Sequence, residues 1–417
     1  MAAPKKSASE SKPVSKGVSA LARARTALKT TLKSDDTIVS LDVNLLKEST
    51  PHIPTGSIIV DYAIGGKVNK HGVAPCPGIP RGRITQLYGQ NSAGKTTLAL
   101  TVAASVCAAG GTVAYIDWEH EVEPRYASTL GVPIDDPDHF ILIQPNTLEE
   151  GMKSLILMIS EGVDLVVLDS VGAGVPEAIW NREVEDEGGQ TRPGLVAQKW
   201  SEFLPKVKAA MSRTGTTILA ISQLRKTISA MSGGPDSAPQ GGEAWKFYTS
   251  VRMMLRVFQK EKGRVFDPMT NKMEEKVVGT IVVLKLEKCK VSDSAHNEFK
   301  FYLRSGVGID NARSVVEMAI AHKIITKSGA WYVWGSGPKG EIKTQGVEAF
   351  LRVLNDDPKL LQALFAQVMP KLAASAVVTQ PDTVEDDAAS AVDEILSSVP
   401  TDKKPSVKDA MAGLDDD

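Results

Sequence analysis

The chain has 417 residues, 42% hydrophobic and 24% charged, with a formal net charge of −2 and 3 cysteines. Cys76, Cys107 and Cys289 are too sparse, and wrongly spaced, for a disulfide framework or a metal cage. No apolar run approaches the roughly 18 residues of a membrane span, and the near-zero net charge excludes a uniformly basic nucleic-acid binder while leaving room for a local basic surface.

Charge is unevenly placed. Residues 1–33 hold eight basic residues and one acid, and residues 382–417 hold eleven acids and three lysines. A basic head and an acidic tail therefore flank a near-neutral body. Few cysteines and no apolar leader point to a reducing, cytoplasmic setting. The length allows two or three domains.

Taken in order, residues 1–17 are rich in Lys, Ser, Pro and Ala and are expected to be a disordered basic N-terminus. From Val18 to Lys33, Leu21, Ala24, Leu28 and Leu32 recur at helical spacing. Thr37–Leu41 reads as a short strand. So short a helix needs a surface to pack on. Residues 18–50 are read as an arm for a neighbouring subunit or, alternatively, as a cap on the chain's own core.

The core is expected over 51–312. Its centre is Gly89-Gln90-Asn91-Ser92-Ala93-Gly94-Lys95-Thr96-Thr97, between the strand-like Ile84–Tyr88 and a small-residue helical run from Leu98. This is G-x-x-x-x-G-K-[ST] in its strand–loop–helix setting, a phosphate-binding loop. Inward backbone N–H groups and a helix N-terminus favour phosphate. Lys95 is expected on the β- and γ-phosphates of ATP, and the Thr96 hydroxyl on Mg²⁺. Thr112–Asp117 is a further buried strand, and Glu119 follows it. A carboxylate beyond a strand's C-terminal end lies in the ligand crevice of an open α/β sheet, placed to polarise a water. Leu165–Ser170 is another apolar strand, with Asp169 at its tip as a second Mg²⁺ contact.

Two polar, glycine-containing segments follow neighbouring strands, residues 181–193 and 225–242. Their cations, Arg182, Arg192, Arg225 and Lys226, would make a joint surface for a phosphate backbone, or else two solvated loops. Between them, Thr216–Gln223 is a strand whose terminal Gln223 can sense a γ-phosphate. Val277–Val291 alternates, which sets Lys288 and Lys290 on one face. Two ammonium groups side by side either share an anion or guard a sheet edge. Residues 313–373 read as a small α+β module, and 374–417 as a disordered acidic tail.

These stretches resemble the bacterial RecA-type recombinases. The resemblance is carried by PTGSIIVDYAIGG at 54–66, GQNSAGKTTL at 89–98, YIDWEHEVEPRYASTLGV at 115–132, LVVLDSVGAGVPEAI at 165–179, ISQLRKTI at 221–228, GGEAWKFYTSVRMMLR at 241–256 and SGAWY at 328–332. It implies an α/β fold with a P-loop ATPase core and a mostly parallel central sheet. It also implies an N-terminal helix–strand polymerisation arm, a DNA-gating C-terminal domain and an autoinhibitory tail. Glu119 would then activate the water, Glu123 and Tyr126 would contact adenine, and Gln223 would couple the γ-phosphate to the second DNA-binding loop, which ends at Gly241 and Gly242. Phe247 would lie at the subunit interface, and Lys288 and Lys290 would reach a neighbour's ATP. Gln198 and Pro205 stand where the family usually has arginines, which moves the expected first-loop contacts to Arg192 or Lys199. Ser305 stands where an aromatic usually packs near the nucleotide.

The function implied is ATP-dependent filament formation on single-stranded DNA, with homologous pairing and strand exchange, in recombination, repair and the SOS response. Two alternatives share the core: a hexameric P-loop DNA motor, and a nucleotide-switched DNA-binding scaffold.

Overall fold

The computed structural model describes residues 23, 27, 48–65, 73–181, 194–226, 237–267, 269–294 and 297–375. The expectations for the N-terminal arm, for Arg182 and Arg192, for most of the two loops and for the acidic tail lie outside these residues.

Two short strands, β1 (His52–Ile53) and β2 (Ile79–Pro80), pair antiparallel ahead of the main sheet. The main sheet has ten strands. They are β3 (Ile84–Gly89), β4 (Val113–Asp117), β5 (Phe140–Ile143), β6 (Leu165–Asp169), β7 (Thr217–Lys226), β8 (Ser237–Pro239), β9 (Val251–Asp267), β10 (Lys272–Cys289), β11 (Glu298–Arg304) and β12 (Gly308–Asp310). The order is β12-β11-β10-β9-β3-β7-β6-β4-β5, with β8 added to β7. From β9 to β5 all neighbours are parallel, and from β9 to β12 they are antiparallel. The mostly parallel α/β architecture expected from the sequence is what is found.

The sequence explains the layers. β3, β4 and β6 are buried along their whole length, as strands covered on both faces must be. Alternate residues serve opposite cores. Leu87, Tyr115, Val167 and Leu219 join the cluster under the helix Lys95–Ala108. Ile84, Ala114, Val166 and Ile218 join the cluster under the helices Leu148–Ser160 and Leu195–Thr214. Period-two alternation is thus kept even where no residue faces water. Ala99, Ala103 and Ala104 give the first helix a slim face against the sheet.

Parallel strands bring their C-terminal ends to one edge. Gly89 is paired with Gln223, and Asp117 with Asp169, so four loops open on one crevice.

Two differences from expectation concern strand limits. β7 runs on through Arg225 and Lys226, which the sequence placed in a loop, because β8 supplies an antiparallel partner: Arg225 faces Ala238 and Lys226 faces Ser237. β10 ends at Cys289 after a register shift between Leu286 and Lys288, so Lys290 lies just beyond the strand.

β13 (Thr326–Ser328), β14 (Trp331–Trp334) and β15 (Ile342–Gln345) form a separate three-stranded sheet. With the helices Asn311–Ala321, Val347–Asp356 and Pro358–Ser375 it encloses a core of its own around Trp334 and Phe350. Asn311 ties this module to the main body. Its side chain accepts from the Ile58 N–H at 3.0 Å and donates to the Gly56 carbonyl at 2.8 Å.

Candidate active site

The phosphate loop runs from the end of β3 into the helix Lys95–Ala108. Ser92 and Gly94 have left-handed backbone, φ 59° and 83°, which turns consecutive N–H groups toward one point. A Cβ on Gly94 would meet Leu303 Cδ1 at 2.1 Å, and one on Gly89 the Leu255 carbonyl oxygen at 2.0 Å. Both positions therefore demand glycine. No side chain caps the helix at Gly94, so its first N–H groups stay available to an anion. Gln90 and Leu255 lock the loop to β9 through the Gln90 N–H to the Leu255 carbonyl at 3.3 Å and the Val257 N–H to Gln90 Oε1 at 3.3 Å.

The Lys95 amine is buried and donates to the carbonyls of Gln90 at 2.9 Å and Gly89 at 3.3 Å. Burial lowers its pKa, partly offset by the nearby Asp169 and Glu119. Such a group has much to gain from an incoming phosphate. The Thr96 hydroxyl donates to Asp169 Oδ2 at 2.9 Å, and Tyr115 donates to the same oxygen at 2.7 Å. Burial pushes the Asp169 carboxyl up to about 6, against those two hydrogen bonds. Among the described residues no three His, Cys, Asp or Glu side chains converge as a metal cage. Mg²⁺ needs no such cage, since it keeps several waters and leans on substrate phosphates. The Thr96–Asp169 pair offers oxygens of the right hard kind.

Glu119 sits on the turn after β4, and Gln223 at the level of Gly89 on β7 reaches it: Nε2 donates to Glu119 Oε1 at 2.8 Å. The turn is held by Asp117, which sequence reading did not single out. Its buried carboxylate accepts from the N–H groups of Glu119 at 3.0 Å, His120 at 2.9 Å and Val122 at 3.2 Å, and from Gln144 at 3.2 Å. Asp117→Ala would strand these donors and is expected to cost about 2–4 kcal/mol. A lower melting temperature together with a lower kcat checks this, and an unchanged melting temperature refutes it.

Glu123 and Tyr126 lie one turn farther on. Glu123 caps the helix Pro124–Thr129, accepting from the Tyr126 N–H at 2.6 Å, while the Tyr126 hydroxyl meets Thr97 Oγ1 at 3.0 Å. Tyr126 thus borders the phosphate loop.

Beyond Gln223 the chain enters the stem of the second loop. The Gln240 N–H donates to the Gln223 carbonyl at 2.9 Å, and the Gln240 amide faces the Arg225 guanidinium. Gly241 and Gly242 then turn the chain with φ 94° and 93° into the helix Ala244–Tyr248. That short helix buries Trp245 and leaves Phe247 75% exposed. Trp245 packs on Trp200 at 4.9 Å between ring centres, and Trp200 on Trp118 at 6.2 Å, next to Glu119. The Lys288 amine donates to the Lys246 carbonyl of the same helix. One continuous path therefore joins Glu119, Gln223, the loop stem, Phe247 and Lys288.

Lys288 and Lys290 are not beside their own phosphate loop. Lys288 is level with Arg252, which pairs with Gln86, and the Lys290 N–H donates to Ser250, next to the start of β3. Burial, Lys290 and Arg252 lower the Lys288 pKa. Burial, Arg83 and Lys290 lower that of Lys208. Arg83, Lys208 and Arg252 thus extend the predicted pair into a cationic cluster. Arg252 is also the middle of a buried chain: its Nε donates to Gln86 at 2.8 Å, Gln86 donates to Ser222 beside Gln223 at 2.9 Å, and its guanidinium meets Glu287 at 3.5 Å.

Of the other residues named from the sequence, Lys199 is half-buried, and Gln198 and Ser305 are exposed. Lys199 is bridged to Glu149 at 2.7 Å, a contact that DNA would have to displace. Gln198 donates to Glu202 at 3.0 Å, and Ser305 donates to the Val277 carbonyl at 3.2 Å. No described helix is long and apolar enough to cross a membrane.

Comparison with known proteins finds two matching family models and several relatives. The family model described as RecA N-terminal domain matches residues 23–298, and that described as RecA C-terminal domain matches 313–373. The chain is 36% identical to Protein RecA of Paenarthrobacter aurescens, over 79% of this chain and 86% of that one. It is 37% identical to Protein RecA of Acidothermus cellulolyticus over the same shares, 79% and 86%. It is 38% identical to Protein RecA of Frankia casuarinae, over 77% of this chain and 84% of that one.

Proposed function

Because the chain belongs to the RecA family, as a DNA-dependent ATPase of recombination and repair, we propose that its ATP is clamped at a seam between two copies. One copy gives the phosphate loop and Glu119, and the next gives Lys288 and Lys290. The observation that carries this reading is the position of the lysine pair toward the far end of β3 from its own cradle. Cations placed there serve another copy's nucleotide better than their own.

Within the seam, backbone N–H groups and Lys95 hold the β- and γ-phosphates. Thr96 and Asp169 are the side chains that would hold Mg²⁺, which when bound would supply charge neutralisation on the phosphates. Glu123 and Tyr126 border the adenine. Glu119 takes the proton of the attacking water. Before that step its carboxylate is held by Gln223, so a γ-phosphate that draws Gln223 away frees Glu119 and pulls on the loop stem at once. Arg225, Lys226, Gly241 and Gly242 lie on that stem, and with Arg182, Arg192 and Lys199 they would hold the DNA backbone, leaving bases open to pairing. Phe247, on the same path, would pass the nucleotide state across the seam. The setting is cytoplasmic.

A strand-exchange assay with and without ATP tests the reading. Exchange of homologous strands only with ATP is expected, with helical filaments on single-stranded DNA by electron microscopy. Closed rings without exchange would instead support the motor alternative.

A further inference from the structure

Arg252 lies in β9 between Val251 and Met253, and all three are buried. A guanidinium does not give up its charge, so taking it out of water is costly unless its partners are good. Its partners here lead three ways. Nε donates to Gln86 Oε1 of β3 at 2.8 Å, and Nη1 lies 3.5 Å from Glu287 Oε2 of β10. The guanidinium also sits 5.1 Å over the ring of Tyr88, the residue before Gly89 of the phosphate loop. Gln86 Nε2 in turn donates at 2.9 Å to the hydroxyl of Ser222, the residue before Gln223. Gln86 and Ser222 are 1% and 0% exposed.

Glu287 is the extra residue of a bulge. β10 pairs Leu286 with Met253 and Lys288 with Arg252, so two steps on β10 answer one on β9. A bulge re-aims the side chains beside it, and the side chain beside this one is Lys288. The ion pair to Arg252 ties the bulge down. Ser222, Gln86, Arg252 and Glu287 thus form one polar row across β7, β3, β9 and β10. Gln223 stands at one end of it and Lys288 at the other. Packing does not demand such a row: Ile84 and Ala220, on the same face of β3 and β7, fill their places with apolar side chains.

We propose that Gln86 and Arg252 are positioning residues that set Lys288 according to the state of Gln223. The inference rests on the seam reading above. A γ-phosphate that draws Gln223 from Glu119 shifts the tip of β7. Ser222 carries the shift to Gln86 and Arg252, and Arg252 moves the Glu287 bulge. A copy with ATP in its own cradle thereby presents Lys288 correctly to the next copy's ATP, and an empty copy does not. Turnover at one seam then depends on the nucleotide held at the adjoining one.

The test is steady-state ATP hydrolysis by the full chain on saturating single-stranded DNA, with ATP varied. The wild type should show a Hill coefficient above 1. Gln86→Leu keeps the bulk but neither accepts from Arg252 nor donates to Ser222. Its coefficient should fall toward 1, and its half-saturating ATP should rise about threefold or more. Gln86→Glu is the conservative variant. Its carboxylate accepts from Arg252 and from the Ser222 hydroxyl, which turns to donate, so it should regain the wild-type coefficient. Ser222→Ala is a milder break that serves if Gln86→Leu does not fold, and it should lower the coefficient too. Ser222→Ala/Gln86→Leu should be no worse than Gln86→Leu alone, as for two links of one chain. A wild-type coefficient of 1, an unchanged coefficient in Ser222→Ala and Gln86→Leu, or equal losses in Gln86→Glu and Gln86→Leu would overturn the proposal. Wild-type turnover in Lys288→Ala/Lys290→Ala would overturn the seam reading and the proposal with it, whereas an unchanged coefficient beside an inactive lysine variant overturns the row alone.

Discussion

Glu119→Gln lowers DNA-stimulated ATP hydrolysis by about 10²–10³-fold while nucleotide binding survives. The argument rests on what the substitution keeps. An amide is the same size, and its oxygen can still accept from Gln223 Nε2, now at 2.8 Å from Glu119 Oε1. The turn is also kept, because Asp117 and not Glu119 holds its backbone. Only the capacity to take a proton is lost. Filaments should therefore form with ATP and persist, since hydrolysis is what would dissolve them. Phosphate release and filament lifetime measure this. Turnover near that of the wild type would remove Glu119 from the chemistry.

Lys288→Ala/Lys290→Ala is expected to lower turnover by about 10²-fold or more, because charge that develops on the leaving phosphates loses the two cations that the neighbouring copy supplies. The defect is repairable by mixing. A Glu119→Gln copy still brings intact lysines, and a lysine-less copy still brings an intact cradle and base. In a random equal mixture of two such copies along a head-to-tail polymer, roughly a quarter of the seams are complete. Two inactive preparations should thus recover about that fraction of the wild-type rate when combined. No recovery, or full activity in the lysine variant alone, would show that each copy works on its own nucleotide.

Much of this was legible in the sequence because its signals are local. A phosphate loop is one continuous stretch, and an apolar strand ending in an acid announces both Asp169 and the crevice. What stayed hidden depends on sheet order. Asp117 looks like the last residue of a strand, and nothing in its neighbours says that three N–H groups will curl back onto it. The chain Ser222–Gln86–Arg252 needs β7, β3 and β9 to lie side by side, though 166 positions separate Arg252 from Gln86. Arg83 and Lys208 join the lysine cluster only through the same folding. One omission was avoidable: the Leu148–Ser160 helix begins with a Thr147–Glu150 capping box, a pattern readable without coordinates.

With the proposed seam, which sets the lysine pair on one flank and the cradle on the other, every assembly would be directional. A string of copies has two unlike tips. At one, a nucleotide would be held without a neighbour's lysines and would not be spent. At the other, cations stand over nothing. Shedding and addition then proceed at unequal speeds from the two tips, and a run of protein on DNA acquires a front and a rear without any separate device to tell them apart.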